Sequence, residues 1–245
     1  MTTNLNPHIV KELAPNGVLR AGINLSNFLL VTGQGINGDP EGVAPDMAQE
    51  IANKLGVKLK LVPFKGPGLL ADAADQDIWD IGLIGAEPAR AEKIKFTNSY
   101  VEIEATYLVR NDSPFKHAND VDKLGATIAV SERTAYDLWL VRNIQNATIV
   151  HAQGFDATVD IFIKQKIDAL ASLRPALLKD VENIPNTRIL HGRFTSIKQS
   201  VGTSKKNIHA HIFLEEFVQD SVKSGFVQKL IEKHKVNGLS VSSLS

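Results

Sequence analysis

Strand-like and helix-like periods alternate along almost the whole chain, and that alternation leaves few folds open. Residues 18–24 read as a strand and the glycine-containing stretch 32–42 as a loop. A helix is predicted over 45–55. Pro45 suits a first helical turn, Ala48, Ile51, Ala52 and Leu55 recur on one apolar face, and Gly56 supplies a stop. Residues 58–62 alternate Lys-Leu-Lys-Leu-Val as a strand, 68–74 read as a short helix, and 80–84, Asp-Ile-Gly-Leu-Ile, as a buried strand. The order then returns, with a strand at 127–130, helices at 135–143 and 155–165, a strand at 168–171 and a helix carrying Pro175 in its first turn. In the tail, Leu214, Phe217, Val218, Ser221 and Val222 line one helical face, and Gly225 separates that helix from another at 226–234. Strands interleaved with helices pack as parallel α/β layers. Both halves end their pattern on a strand that opens with Asp, without sharing a sequence repeat, so two comparable lobes are predicted.

Composition narrows the function classes. Of 245 residues, 43% are hydrophobic and 22% charged, ordinary for a soluble globular protein with a substantial core. Lysine plus arginine (27) balances aspartate plus glutamate (27), so no basic excess favours nucleic acid or an anionic membrane surface. A nucleic-acid partner is therefore not expected. The absence of cysteine excludes disulfides, thiolate metal sites and thiol nucleophiles. No apolar run approaches the ~20 residues of a membrane span. The start of the chain, residues 1–7, lacks the basic and apolar regions of a secretory signal. The expected compartment is the periplasm if a signal was removed, and otherwise the cytoplasm.

Four ordered stretches carry a family likeness: Leu-Arg-Ala-Gly-Ile-Asn at 19–24; Gly-Val-Ala-Pro-Asp-Met-Ala-Gln-Glu-Ile-Ala at 42–52, running into Leu-Gly-Val at 55–57; Trp-Asp-Ile-Gly at 79–82 with Glu-Pro-Ala-Arg-Ala-Glu-Lys-Ile-Lys-Phe-Thr-Asn-Ser-Tyr at 87–100; and Ser-Gly-Phe-Val-Gln-Lys-Leu-Ile-Glu-Lys at 224–233. With these the chain resembles the extracellular solute-binding proteins of family 3, the amino-acid-binding-like type II periplasmic proteins. The resemblance implies an α/β, two-lobe periplasmic-binding-protein-like fold of type II, with a ligand cleft between the lobes. Lobe 1 would comprise 1–106 plus 203–245 and lobe 2 the inserted 107–202, with crossover strands near 105–110 and 197–204. It also implies a monomer that hands a small-molecule ligand to the membrane component of an ABC transporter, without cofactor or metal.

The same resemblance assigns site residues. Arg90 matches the arginine that pairs with the ligand carboxylate, and its planar fork suits two oxygens of a carboxylate or sulfonate. Read without the resemblance, Arg90 among Glu87, Glu92 and Lys93 is a solvated surface residue. The family's hydroxyl residue five positions earlier is Gly85 here, leaving backbone groups of Gly85 and Ala86 to serve. The threonine three before the arginine is Glu87. Leu173 occupies the position of the acid that receives an amino acid's ammonium, and its neighbours Ser172 and Arg174 are not acidic either. Because an unpartnered buried ammonium costs several kcal/mol, the expected ligand is a small organic anion or zwitterion without a primary amine: a carboxylate, sulfonate or betaine. Arg133 and Thr134 fall in the loop opening a second-lobe helix, where Thr134 either contacts ligand or caps the helix. Asn24, Asn27 and Phe28 follow the first strand, and Phe64 and Lys65 the next. The aromatic rings there either cover a quaternary ammonium or simply pack the wall.

Signals for catalysis are poor. Residues 29–35 contain glycines without the Lys-Ser/Thr ending of a phosphate loop, His209 and His211 point to different helix faces, and no nucleophile elbow occurs. The alternative reading is an enzyme resembling cyclohexadienyl dehydratase on the same fold. That chemistry needs a general acid, for which only Glu132 and Glu87 offer themselves.

Overall fold

A computed structural model describes residues 6–243; residues 1–5 of the signal reading lie outside that range. The chain divides into two compact units. Unit 1 runs up to Glu102 and resumes at Lys198, and unit 2 is Ile103–Ile197.

Unit 1 opens with α1 (Pro7–Leu13), then β1 (Val18–Asn24), a small hairpin of β2 (Gly33–Gln34) and β3 (Pro40–Glu41), α2 (Val43–Leu55), β4 (Lys58–Phe64), α3 (Pro67–Asp72) and β5 (Ile81–Gly85). The hairpin lies within the stretch expected to be loop. Helix α2 begins two residues before Pro45. It follows Gly42, whose backbone is at φ 150° and where a Cβ would overlap the Leu30 carbonyl. Gly56 closes the helix in the left-handed conformation, as read from the sequence. The predicted face of Ala48, Ile51, Ala52 and Leu55 is buried, and it packs on Leu19, Ala21 and Ile23 of β1 and Ile81 and Leu83 of β5. Alternate residues point to the opposite sheet face, where a second cluster forms around Leu70, Trp79 and Ile84. There Gly82 admits Leu70 and Trp79, since a Cβ would stand 2.9 Å from Leu70 Cδ2.

The 17-residue β6 (Ile94–Arg110) carries the chain into unit 2. Next come β7 (Thr127–Ser131), α4 (Ala135–Asn143), β8 (Thr148–Ala152), α5 (Phe155–Lys164), β9 (Ala169–Leu173), α6 (Arg174–Asn183) and β10 (Thr187–Ile189). Then β11 (Thr195–Ser204) returns to unit 1, which ends with α7 (Ile208–Lys223), α8 (Phe226–Lys233) and β12 (Ser240–Val241). Leu214, Phe217, Val218 and Ser221 of α7 are buried, and Val222 is half-buried.

The two units repeat one topology. In unit 1, β1 lies parallel between β4 and β5; in unit 2, β7 lies parallel between β8 and β9. An antiparallel strand then flanks each third strand, β11 beside β5 and β6 beside β9. The Asp that opens each third strand has the same task in both. Asp80 accepts the backbone N–H of Arg20 at 2.7 Å, and Asp168 accepts that of Thr127 at 2.8 Å. Ala21 pairs with Ile81 and Ile128 with Ala169, so each carboxylate takes the amide one step before the paired residues. Asp80 also binds the Arg20 guanidinium, which it holds above its usual pKa together with Asp77.

Two stability predictions follow from buried carboxylates. Asp80→Ala removes a charge-assisted acceptor 7% exposed, so unfolding in urea should show a loss of about 3 kcal/mol at unchanged m-value. Asp180 on α6 behaves oppositely. Burial, reinforced by Asp156, pushes its carboxyl up to about 6, and its Oδ2 is buried without a hydrogen-bond partner. A carboxyl raised on folding penalises the native state increasingly from pH ~4 to ~6, and fully above that. Asp180→Asn should therefore be more stable than the parent at pH 7.5, with the gap closing by pH 4. A gap of constant size across that range would refute the ionisation argument.

Candidate functional site

In each unit the predicted site residues collect at the carboxyl ends of the parallel strands, the edge where open α/β sheets place ligands. In unit 1, Asn24 pairs in register with Phe64, and Ile23 with Leu83, so β1, β4 and β5 finish together. Asn24, Phe64 and Gly85 are the last residues of those strands, and Phe28, Lys65 and Ala86 stand on the loops they open. Asn24 spends its side-chain oxygen on Ser26, accepting from both the amide and the hydroxyl. Phe64 is half-buried against the Leu70–Trp79 cluster, Phe28 is half-buried, and Lys65 is exposed. Asn27 is buried and accepts the Leu29 amide, which fixes the turn.

The loop after β5 carries the charge. Arg90 is 5% exposed, so it is not a solvated surface residue. Its Nη1 donates to the Gly85 carbonyl at 2.8 Å, which braces the guanidinium against the strand end. The Ala91 amide donates to the Glu87 carbonyl at 2.9 Å, closing a turn from which a single 3₁₀ turn, Arg90–Glu92, leads away. Glu87 is also buried, at 7% exposure. The Ala86 amide, considered from sequence as a ligand donor, is taken by the Lys198 carbonyl, and the Gly85 carbonyl by Arg90. The sequence marked Glu87 as a departure from a threonine but gave no sign of its burial.

In unit 2, Thr134 lies beyond the end of β7, and Leu173 is the last residue of the neighbouring strand β9. Thr134 caps α4. Its hydroxyl accepts the Asp137 amide at 3.2 Å and donates to the Ser131 carbonyl at 2.9 Å. Arg133 is exposed, with its backbone left-handed at φ 61°. Asp137 stabilises that turn by accepting the Arg133 amide at 2.6 Å, and it also binds His151 Nε2 at 2.8 Å. Sequence reasoning missed Asp137. The spacing Thr-x-x-Asp before a helix, a capping-box pattern, was the signal available. Leu173 packs on the unit 2 core, while Arg174 turns to Glu104 at 2.7 Å and to the Gly192 carbonyl. Arg193 also reaches Glu104, whose carboxyl is held below the usual range by Arg174 first and Arg193 second.

Among the described residues there is no group of three or more His, Asp or Glu side chains able to hold a metal ion, and no helix long and apolar enough to cross a membrane. His211 binds the Phe96 carbonyl, and His209 stacks near His8.

Comparison with known proteins fits this geometry. The L-cystine-binding protein TcyJ of Escherichia coli is 26% identical over 230 residues, covering 92% of this chain and 85% of that protein. Cyclohexadienyl dehydratase of Pseudomonas aeruginosa is 28% identical over 144 residues, 54% of this chain and 53% of the enzyme. The fold matches an amino acid ABC transporter substrate-binding protein from Streptococcus pneumoniae, AbpA, solved with L-arginine. The TM-score is 0.73 at 18% identity, over 93% of this chain and 99% of that one. The model of the bacterial extracellular solute-binding proteins, family 3, matches residues 30–237, and the chain belongs to that family.

Proposed function

We propose that this chain binds a free amino acid for an ABC-type uptake system, with Arg90 pairing its α-carboxylate. The observation that carries the reading is the burial of Arg90 at the carboxyl edge of β1, β4 and β5, where its guanidinium is braced by Gly85. A buried guanidinium presents a planar set of donors that a carboxylate matches with two oxygens. Asn24, Phe28, Phe64 and Lys65 border the same edge and are read as further ligand contacts, whereas the Gly85 carbonyl and the Ala86 amide are already committed within the protein. Arg133, Thr134 and Leu173 hold the corresponding edge of unit 2. The family and the cystine-binding relative support transport, with a transporter membrane component as partner and a place of action outside the cytoplasmic membrane.

This reading replaces the expectation of a ligand without a primary amine. That expectation rested on Leu173 and its non-acidic neighbours Ser172 and Arg174, whereas a relative that matches over most of its length binds an amino acid by name. An acceptor missing from one strand end excludes an ammonium only if no other element of the site supplies one. The dehydratase likeness, which covers about half of each chain, keeps an enzyme as the second reading. Turnover of prephenate or arogenate is the assay that would establish it.

Titration calorimetry with L-cystine, L-arginine and L-lysine, alongside organic acids and a betaine, tests the proposal. At least one of the amino acids should bind most tightly. Arg90→Ala should weaken it by ~2 kcal/mol or more, about 30-fold. Unchanged affinity in a folded variant would remove Arg90 from the site.

A further inference from the structure

An asparagine followed by glycine is the most easily deamidated pair in a protein chain, because glycine has no side chain to shield its own nitrogen. Three such pairs occur here: Asn16–Gly17, Asn37–Gly38 and Asn237–Gly238. In the reaction the glycine nitrogen attacks the carbonyl carbon of the asparagine side chain. The new C–N bond closes a five-membered succinimide, and ammonia leaves. Water then opens the ring at either carbonyl. One opening gives aspartate. The other gives isoaspartate, whose main chain runs through the former side chain and is longer by one methylene.

All three asparagines are exposed, so access to water does not separate them. Their glycine nitrogens do. The Gly17 amide donates to the Ala14 carbonyl at 2.9 Å, and the Gly38 amide donates to the Gly35 carbonyl at 2.9 Å. Each bond closes a four-residue turn with asparagine at its third position, which keeps the glycine N–H in use and fixes the peptide plane that attack would have to rotate. The Gly238 amide donates no hydrogen bond among the described residues. Asn237 and Gly238 form an exposed bend between α8 and β12, and Val236 and Leu239 on either side of it pack against the unit 1 core.

We infer that Asn237 is the site at which the folded protein deamidates, while Asn16 and Asn37 are protected by their turns. The product bears on β12. Val241 pairs with Val101, the Ser242 amide donates to the Tyr100 carbonyl at 3.1 Å, and the Ser242 hydroxyl donates to that of Ser99 at 2.8 Å. A methylene added between the anchors at Val236 and Leu239 displaces the segment that delivers β12 to β6. The isoaspartyl form therefore holds that edge strand less firmly.

The test ages the folded chain in mildly alkaline buffer, with an unaged sample as the baseline. Cleavage after lysine and arginine then puts the three asparagines on separate peptides, 12–20, 21–54 and 236–245. Mass spectrometry should show Asn237 exchanging its amide nitrogen for oxygen at least about five-fold faster than Asn16 or Asn37, the factor that one turn hydrogen bond supplies. In guanidinium chloride, where the turns are lost, the three rates should converge. Equal rates in the folded chain, or a faster rate at Asn16 or Asn37, overturn the inference. The same order of rates in denaturant overturns it too, because selectivity would then lie in the sequence around each pair and not in the fold. Hydrogen exchange at the Ser242 amide should be faster in the isoaspartyl fraction than in fresh protein, and unchanged exchange there overturns the consequence for β12.

Discussion

The hydrogen bond from a strand's backbone amide to the carboxylate that opens the next parallel strand sets the frame for everything else in this protein. Asp80 fixes β5 against β1, and Asp168 fixes β9 against β7, each by accepting the amide one step before the first paired residues. A parallel ladder slipped by one residue would turn every side chain to the other face. It would drive Ile81 and Leu83 into the Leu70–Trp79 cluster and Ile84 into the cluster beneath α2. A buried, charge-assisted acceptor at the strand's amino end makes that slip costly. It also decides where the opposite ends fall, at Asn24, Phe64 and Gly85, and there the loop bearing Arg90 begins. Register and site are thus one constraint viewed from two ends of the same strands.

Much of this was legible from period alone. The face of Ala48, Ile51, Ala52 and Leu55, the stop at Gly56 and the α7 stripe from Leu214 to Ser221 are local patterns, and local patterns persist in the fold. The recurring Asp was visible as well, although its purpose was not, because Arg20 is 60 residues from Asp80. Strand β8 escaped notice because it is an edge strand with only partly buried residues, so its alternation is weak. The long β6 reads as mixed polar and apolar sequence and shows its continuity only when neighbours pair along it.

The candidate site residues could be named from the sequence, but their hydrogen bonding could not. The likeness named Arg90, Thr134 and Leu173, and the structure sets them on the loops beyond β5 and β7 and at the last residue of β9. It did not reveal that Thr134's hydroxyl is engaged in capping or that Ala86's amide is spent on Lys198. Hydrogen-bond accounting requires coordinates, because each donor can be used once and its competitor is usually remote in sequence. The ligand class went astray for a related reason. A residue type at one position was taken to speak for the whole site, whereas electrostatic complementarity is a sum over every element near the ligand.

The two units also spend their buried charge differently, although their topology is shared. Unit 2 uses Asp137 to hold a left-handed arginine and a histidine, so that carboxylate belongs to the scaffold. In unit 1 the scaffold's carboxylate is Asp80, at the amino end of β5, which leaves the carboxyl end of the same strand for Glu87 and Arg90. One strand therefore has buried charge beyond both of its ends. That separation keeps the carboxylate that sets the register away from the loop, Gly85 to Arg90, that carries the candidate ligand-binding arginine.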